Sequence, residues 1–182
     1  MKNTATMALM ITLGAAGVYA QEIPVHMTFS GDATPGTIDL KQPNTNTGEE
    51  NLAGYGTQGQ FTVRLVKASA AAPQPSSTCS GPTKLYFPNV AGAGLFRFQD
   101  GSLLKVNLTG GGDCIDFAAN EAHCTLIFQV AGGTGRFQDA TGTLTLTETA
   151  TPILSDASNN PVYFTEVGEF TGTISPGRNA KP

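Results

Sequence analysis

One stretch constrains this chain more than any other: Val130-Ala131-Gly132-Gly133-Thr134-Gly135-Arg136-Phe137-Gln138-Asp139-Ala140-Thr141-Gly142-Thr143-Leu144. It lies between two runs of alternating character. Cys124 to Val130 alternates before it, and Thr143 to Thr149 sets Leu144 and Leu146 opposite threonines after it. A period of two marks a half-buried strand, and clustered glycines supply the backbone freedom of a sharp corner. A strand follows the corner. The reading of this loop as a phosphate cradle therefore fails, because such a cradle needs a helix N-terminus behind its glycines.

The rest of the chain repeats the pattern. Ile23 to Ser30 predicts a strand, and Gln60 to Lys67 predicts a strong one with Phe61, Val63 and Leu65 on one face. Lys84 to Phe87 predicts a short strand stopped by Pro88. Two more centre on Leu95–Phe98 and Leu103–Val106, with Asp100-Gly101 as the hairpin signal between them. Thr109 to Asp113 predicts a turn, and Phe117 to His123 one helical turn at most. Val162 to Val167 and Glu169 to Ile174 predict closing strands with a bulge at Gly168. Gly31 to Gly59 is poor in apolar residues and predicts a long loop with a weak strand near Thr37–Leu40. About eight strands with short connections imply a sandwich or a closed antiparallel barrel. Closure removes exposed strand edges. Phe61, Leu65, Phe98, Leu104, Leu126, Phe128, Phe137, Leu146 and Phe170 are the expected interior. Arg97-Phe98-Gln99-Asp100 and Arg136-Phe137-Gln138-Asp139 form a faint internal echo, read as two equivalent corners.

The run Gly132 to Phe137, followed by Ala140 and Gly142, resembles the late hairpin of the allene oxide cyclase-like barrels. Plant dirigent proteins share that superfamily and carry a similar turn. Exported bacterial proteins with such a turn often end in a Phe-x-Gly-x-Ile strand, here Phe170-Thr171-Gly172-Thr173-Ile174. The resemblance runs from about Gly94 to Ile174. It implies an all-β fold, a single antiparallel eight-stranded β-barrel with an apolar interior, and a homo-oligomer, since trimers are common among the plant relatives. It does not carry activity over: the plant enzymes' catalytic acid, proline and water-binding set have no matching motif here.

The ends fit export. Lys2, the apolar Met7 to Val18 run and Val18-Tyr19-Ala20 read as a signal peptide over residues 1–20, cut before Gln21. The barrel is expected over 21–174 and a flexible tail over 175–182. The apolar run is too short for a good membrane span. A net charge of −4 without a basic cluster argues against nucleic acid. A charged fraction of 13%, beside abundant Thr and Gly, fits a polar, weakly charged β surface. The expected location is secreted or periplasmic, where a disulfide is the default. Of Cys79, Cys114 and Cys124, the pair Cys114–Cys124 is expected on its short separation, with Cys79–Cys114 as the alternative.

No residue set forms a catalytic constellation. Glu148, Glu166 and Glu169 lie on late strands, and alternation places Glu148 with Leu144 and Leu146. Unpaired buried acids are rare, so Glu148 is expected to meet water at a barrel end. If it points inward, its pKa rises and it becomes the one candidate acid or base. Arg97 and Arg136 are the candidate ligand-binding residues, with a structural ion pair or carbonyl clamp as the preferred role. Glu121, His123, Cys124 and Cys114 fall short of a zinc set, so neither a metal nor any other cofactor is expected. Asn107-Leu108-Thr109 is a glycosylation sequon in a eukaryotic host only. The expected function is non-catalytic: an exported barrel that binds a small apolar molecule in its lumen or serves as a structural or surface module. The alternative is an isomerase or cyclase-like enzyme acting on a small apolar substrate inside the barrel.

Overall fold

A computed structural model describes residues 22–177. The expected signal segment 1–20 and residues 178–182 of the expected tail lie outside the described residues. Eight strands follow in order: β1 Ile23–Pro35, β2 Thr45–Gly56, β3 Phe61–Ala70, β4 Lys84–Phe98, β5 Leu103–Asp116, β6 Glu121–Gly133, β7 Thr141–Ser155 and β8 Pro161–Ser175. Each pairs antiparallel with the next, and β8 pairs with β1, which closes the barrel. The only helical element among the described residues is a 3₁₀ turn at Gly135–Phe137.

Inward and outward residues alternate along each strand, as a barrel wall requires. All nine expected interior residues are buried. The lumen is filled by touching rings: Phe96 lies 4.9 Å from Phe170, Phe29 5.0 Å from Phe170, Phe61 5.6 Å from Phe96, and Phe98 4.8 Å from Phe137, between centroids. These offset and tilted arrangements suit aromatic quadrupoles. Leu104, Leu126, Leu144 and Leu146 complete a fully buried aliphatic side.

Four local expectations change. Pro88 does not stop β4, which runs on from Lys84 to Phe98. Thr37–Leu40 is not a strand; Thr45–Gly56 is, held by ladders to β1 and β3 although Leu52 is its one large inward apolar residue. Gly168 sits inside a continuous β8, where an added Cβ would come within 2.2 Å of the Thr147 carbonyl oxygen. Its glycine serves close strand approach instead of a bulge. Ser175 ends β8, and Gly177 packs against Gln138 and Asp139, so the loose tail does not begin at 175.

A fifth change decides the disulfide. Gly110 to Gly112 lie within β5, and the register slips by one residue between Leu108 and Gly110. Leu104 and Val106 point inward before the slip. After it the parity is reversed, so Asp113 pairs with Cys124 and Cys114 with His123. Cys114 and Cys124 thus fall on opposite faces of the wall. Cys114 bonds Cys79 across 35 residues, and Cys124 is a buried free thiol, which corrects the expected Cys114–Cys124 bridge. The bond fastens the loop between β3 and β4 to β5. Reduction, or Cys79→Ser with Cys114→Ser, is expected to cost about 3–4 kcal/mol in the chain-entropy treatment. A denaturation midpoint unchanged by reductant contradicts it, and a non-reducing peptide map reads the pairing directly.

Candidate functional site

The corners β2–β3, β4–β5 and β6–β7 gather at one end of the barrel, with the start of β1 and the end of β8. The two echo segments meet here. Gly135 sits with a φ of +60° against Ser102, whose Oγ would lie 2.4 Å from an added Cβ. Thr134 Oγ1 accepts from the Leu103 N–H at 3.2 Å, and the Thr134 N–H donates to the Leu103 carbonyl at 2.9 Å. Arg136 spreads over the Phe98 and Phe137 rings at 4.9 and 4.7 Å, donates to the Gln58 carbonyl, and places Nε 3.4 Å from Asp100 Oδ2. Hydrogen bonds from Ser102, and then the Arg136 charge, hold Asp100 below the usual carboxylate range.

Arg136 is therefore a lid bolted to three corners. Arg136→Ala is expected to lower stability by about 1–2 kcal/mol through lost cation–π and stem packing; an unchanged thermal midpoint contradicts this role. Arg97 stands exposed on the outer wall between the inward Phe96 and Phe98, on a face apart from Arg136. The two candidate arginines do not share a site.

The other end of the lumen is chemically different. Beyond the rings, the inward positions of five strands carry Glu50 on β2, Lys67 on β3, Asp113 on β5, Glu148 on β7 and Glu166 on β8, with the Cys124 thiol on β6 among them. Glu148 is 5% exposed, Glu166 3% and Glu50 0%, so the expected water-facing Glu148 is corrected to a buried one. The alternation that pairs Leu144 and Leu146 with the core simply continues to Glu148. Lys67 Nζ lies 2.7 Å from Glu50 Oε1, 3.3 Å from Asp113 Oδ1 and 3.6 Å from Glu148 Oε1. Ser69 Oγ is 2.8 Å from Asn89 Oδ1 and 3.0 Å from Asp113 Oδ2. Both oxygens of Glu148, Oε2 of Glu50 and Oε2 of Glu166 are buried and accept no hydrogen bond among the described residues.

Four carboxylates thus face one ammonium, and the protonation states divide accordingly. Burial lowers the Lys67 affinity for its proton, but Glu50 and then Asp113 outweigh this and raise it well above the ordinary lysine value. Burial pushes Asp113 up, yet Lys67, with hydrogen bonds from Cys124, Ser69 and Asn89, brings it below the usual range. Burial and then the Glu50 charge push Glu148 up to about 8, against the pull of Lys67. The same two causes, followed by Glu148, push Glu166 up to about 10. Burial raises the Cys124 thiol well above its ordinary value, so this sulfur is a poor nucleophile.

One oxygen from each of Glu50, Glu148 and Glu166 lies within 4.8 Å of the others. Sequence reading reached Glu148 and Glu166 but missed Glu50, Lys67 and Asp113. The one available signal was Lys67, which continues the inward series Phe61, Val63, Leu65. The weighed zinc set is not assembled: Cys114 is in the disulfide, Cys124 points inward, and His123 sits on Glu121 at 3.1 Å. Glu169 bonds His26 on the outer wall at 2.8 Å. No helix among the described residues is long and apolar enough to cross a membrane. No protein-family model matches this chain, and no curated protein matches it.

Proposed function

We propose that this chain is an exported, non-catalytic barrel that serves as a structural or surface-associated module. The observation that carries the reading is the packing of the lumen: six phenylalanine rings, from Phe29 through Phe170, Phe96, Phe61 and Phe98 to Phe137, form one continuous chain of contacts. Small barrels either fill with their own side chains or hold one ligand, and these rings occupy the place an apolar guest would take. The Cys79–Cys114 bond supports an oxidising, secreted or periplasmic location. Membership of the allene oxide cyclase-like barrels, and self-association as a trimer, enter through the resemblance of the Gly132 to Phe137 corner.

A second reading keeps the lumen enzyme. It is favoured by Glu148, a buried carboxylate held near 8 beside Lys67, which is suited to moving a proton near neutral pH. Native mass spectrometry of the exported protein separates the two. The expected result is a chain beginning at Gln21 with no retained organic molecule. An apolar compound recovered with the protein, or turnover of an unsaturated epoxide that Glu148→Gln abolishes, overturns the structural reading.

A further inference from the structure

We propose that the acidic end of the lumen is a binding site for a hard divalent cation, with calcium the best fit, held by Glu50, Glu148 and Glu166. β2, β7 and β8 aim these carboxylates at one point, with an oxygen of each within 4.8 Å of the others. Oxygens this close can share one ion, and calcium accepts an irregular, flexible oxygen shell where magnesium demands a near-ideal octahedron. The set is all oxygen, which suits a hard ion and not the softer metals that seek sulfur or imidazole.

The second observation is independent of the clustering. Glu166 is more than nine-tenths buried and aimed into the lumen, yet its Oε2 accepts no hydrogen bond among the described residues; Glu148 beside it meets only the Cys124 thiol and, at 3.6 Å, Lys67. Buried polar atoms are nearly always satisfied, so orphans of this kind mark a missing partner. Lys67 is not the partner of Glu166: its ammonium is shared among Glu50 at 2.7 Å, Asp113 at 3.3 Å and Glu148 at 3.6 Å. The site stands on this geometry and does not depend on how the rest of the lumen is used.

The test uses the full barrel, freed of metal with chelator and then titrated with calcium chloride. Isothermal titration is expected to give one calcium per chain, with much weaker binding of magnesium. Thermal unfolding is expected to rise by about 5 °C at saturating calcium, since a ligand selective for the folded state stabilises it by mass action. Glu166→Gln alone is expected to weaken binding at least tenfold, and Glu50→Gln with Glu166→Gln to abolish it, with the far-UV spectrum unchanged. Glu169→Gln, on the outer wall of β8, is expected to bind as the parent does. Absence of calcium binding by the folded parent overturns the proposal. So does calcium binding that survives in the folded double variant.

Discussion

Lys67→Met is expected to destabilise the metal-free protein by about 3–5 kcal/mol at pH 8, the cost of stripping a buried charge cluster of its counter-ion. Methionine retains most of the lysine volume, so the effect is electrostatic and not a cavity. Among the described residues, Lys67 Nζ is the one cation within ion-pair distance of Glu50, Asp113 and Glu148. Its removal leaves their charges in a lumen where burial already penalises ionisation. The loss is expected to shrink at pH 5, where Glu148 and Glu166 carry their protons in the folded state. Urea denaturation at the two pH values reads both effects. A loss under about 1 kcal/mol at pH 8 means that the cluster is hydrated and that Lys67 behaves as a surface ion pair does.

Phe170→Ala is expected to cost a similar amount, about 3–5 kcal/mol, for a different reason. Phe170 is fully buried and its ring touches Phe29, Phe61 and Phe96 at 4.9–6.2 Å between centroids. The surrounding strands are ladder-bonded on both sides, so the wall cannot collapse into the gap. This substitution should be insensitive to pH, which separates it from Lys67→Met. It should also create the apolar pocket that the native lumen lacks at this position, and an apolar fluorescent probe is expected to bind the variant better than the parent. A small, pH-dependent loss contradicts this packing.

The glutamates also set the pH dependence of the metal-free barrel. Glu148 and Glu166 titrate in the folded state near 8 and 10, above the ordinary 4.5. Between the two values the folded chain holds protons that the unfolded chain has released, so stability falls as pH rises from about 4.5 through 8 towards 10. Asp113 works in the opposite sense. Its folded value lies below the ordinary 3.8, so its contribution is present above that value and is lost as pH falls through the folded one. Both effects place the optimum at mildly acidic pH.

Most of the barrel could be read from the chain because its inward positions are apolar and its outward ones are not. Phe61, Val63 and Leu65 on β3, and Leu144 and Leu146 on β7, declare their faces by alternation. The same rule explains the failures. β2 presents Gly48, Glu50, Leu52 and Gly54 to the lumen, so it carries almost no apolar signal and reads as loop; its ladders to β1 and β3 make it a strand. Thr109 to Asp113 reads as a turn and Cys114–Cys124 as a pair on separation alone, whereas β5 runs through this segment with a one-residue slip at Leu108 to Gly110 that leaves no mark in composition. The acidic cluster is formed by closure, which brings β2, β5, β7 and β8 together across the lumen. Each carboxylate alone looks like a surface residue, and only the closed register shows them facing one another.

A carbon-13 titration of the glutamate side-chain carboxyls in metal-free protein, with Glu148→Gln and Glu166→Gln used for assignment, reads the buried cluster most directly. An apolar lumen ending in a buried cluster requires two glutamates far from the ordinary value: Glu148 with a midpoint near 8 and Glu166 near 10. Because the two charges interact, removal of either one should lower the midpoint of the other. If every glutamate instead titrates near 4.5 and neither substitution moves its neighbour, the acidic end is open to water and holds no buried, coupled cluster.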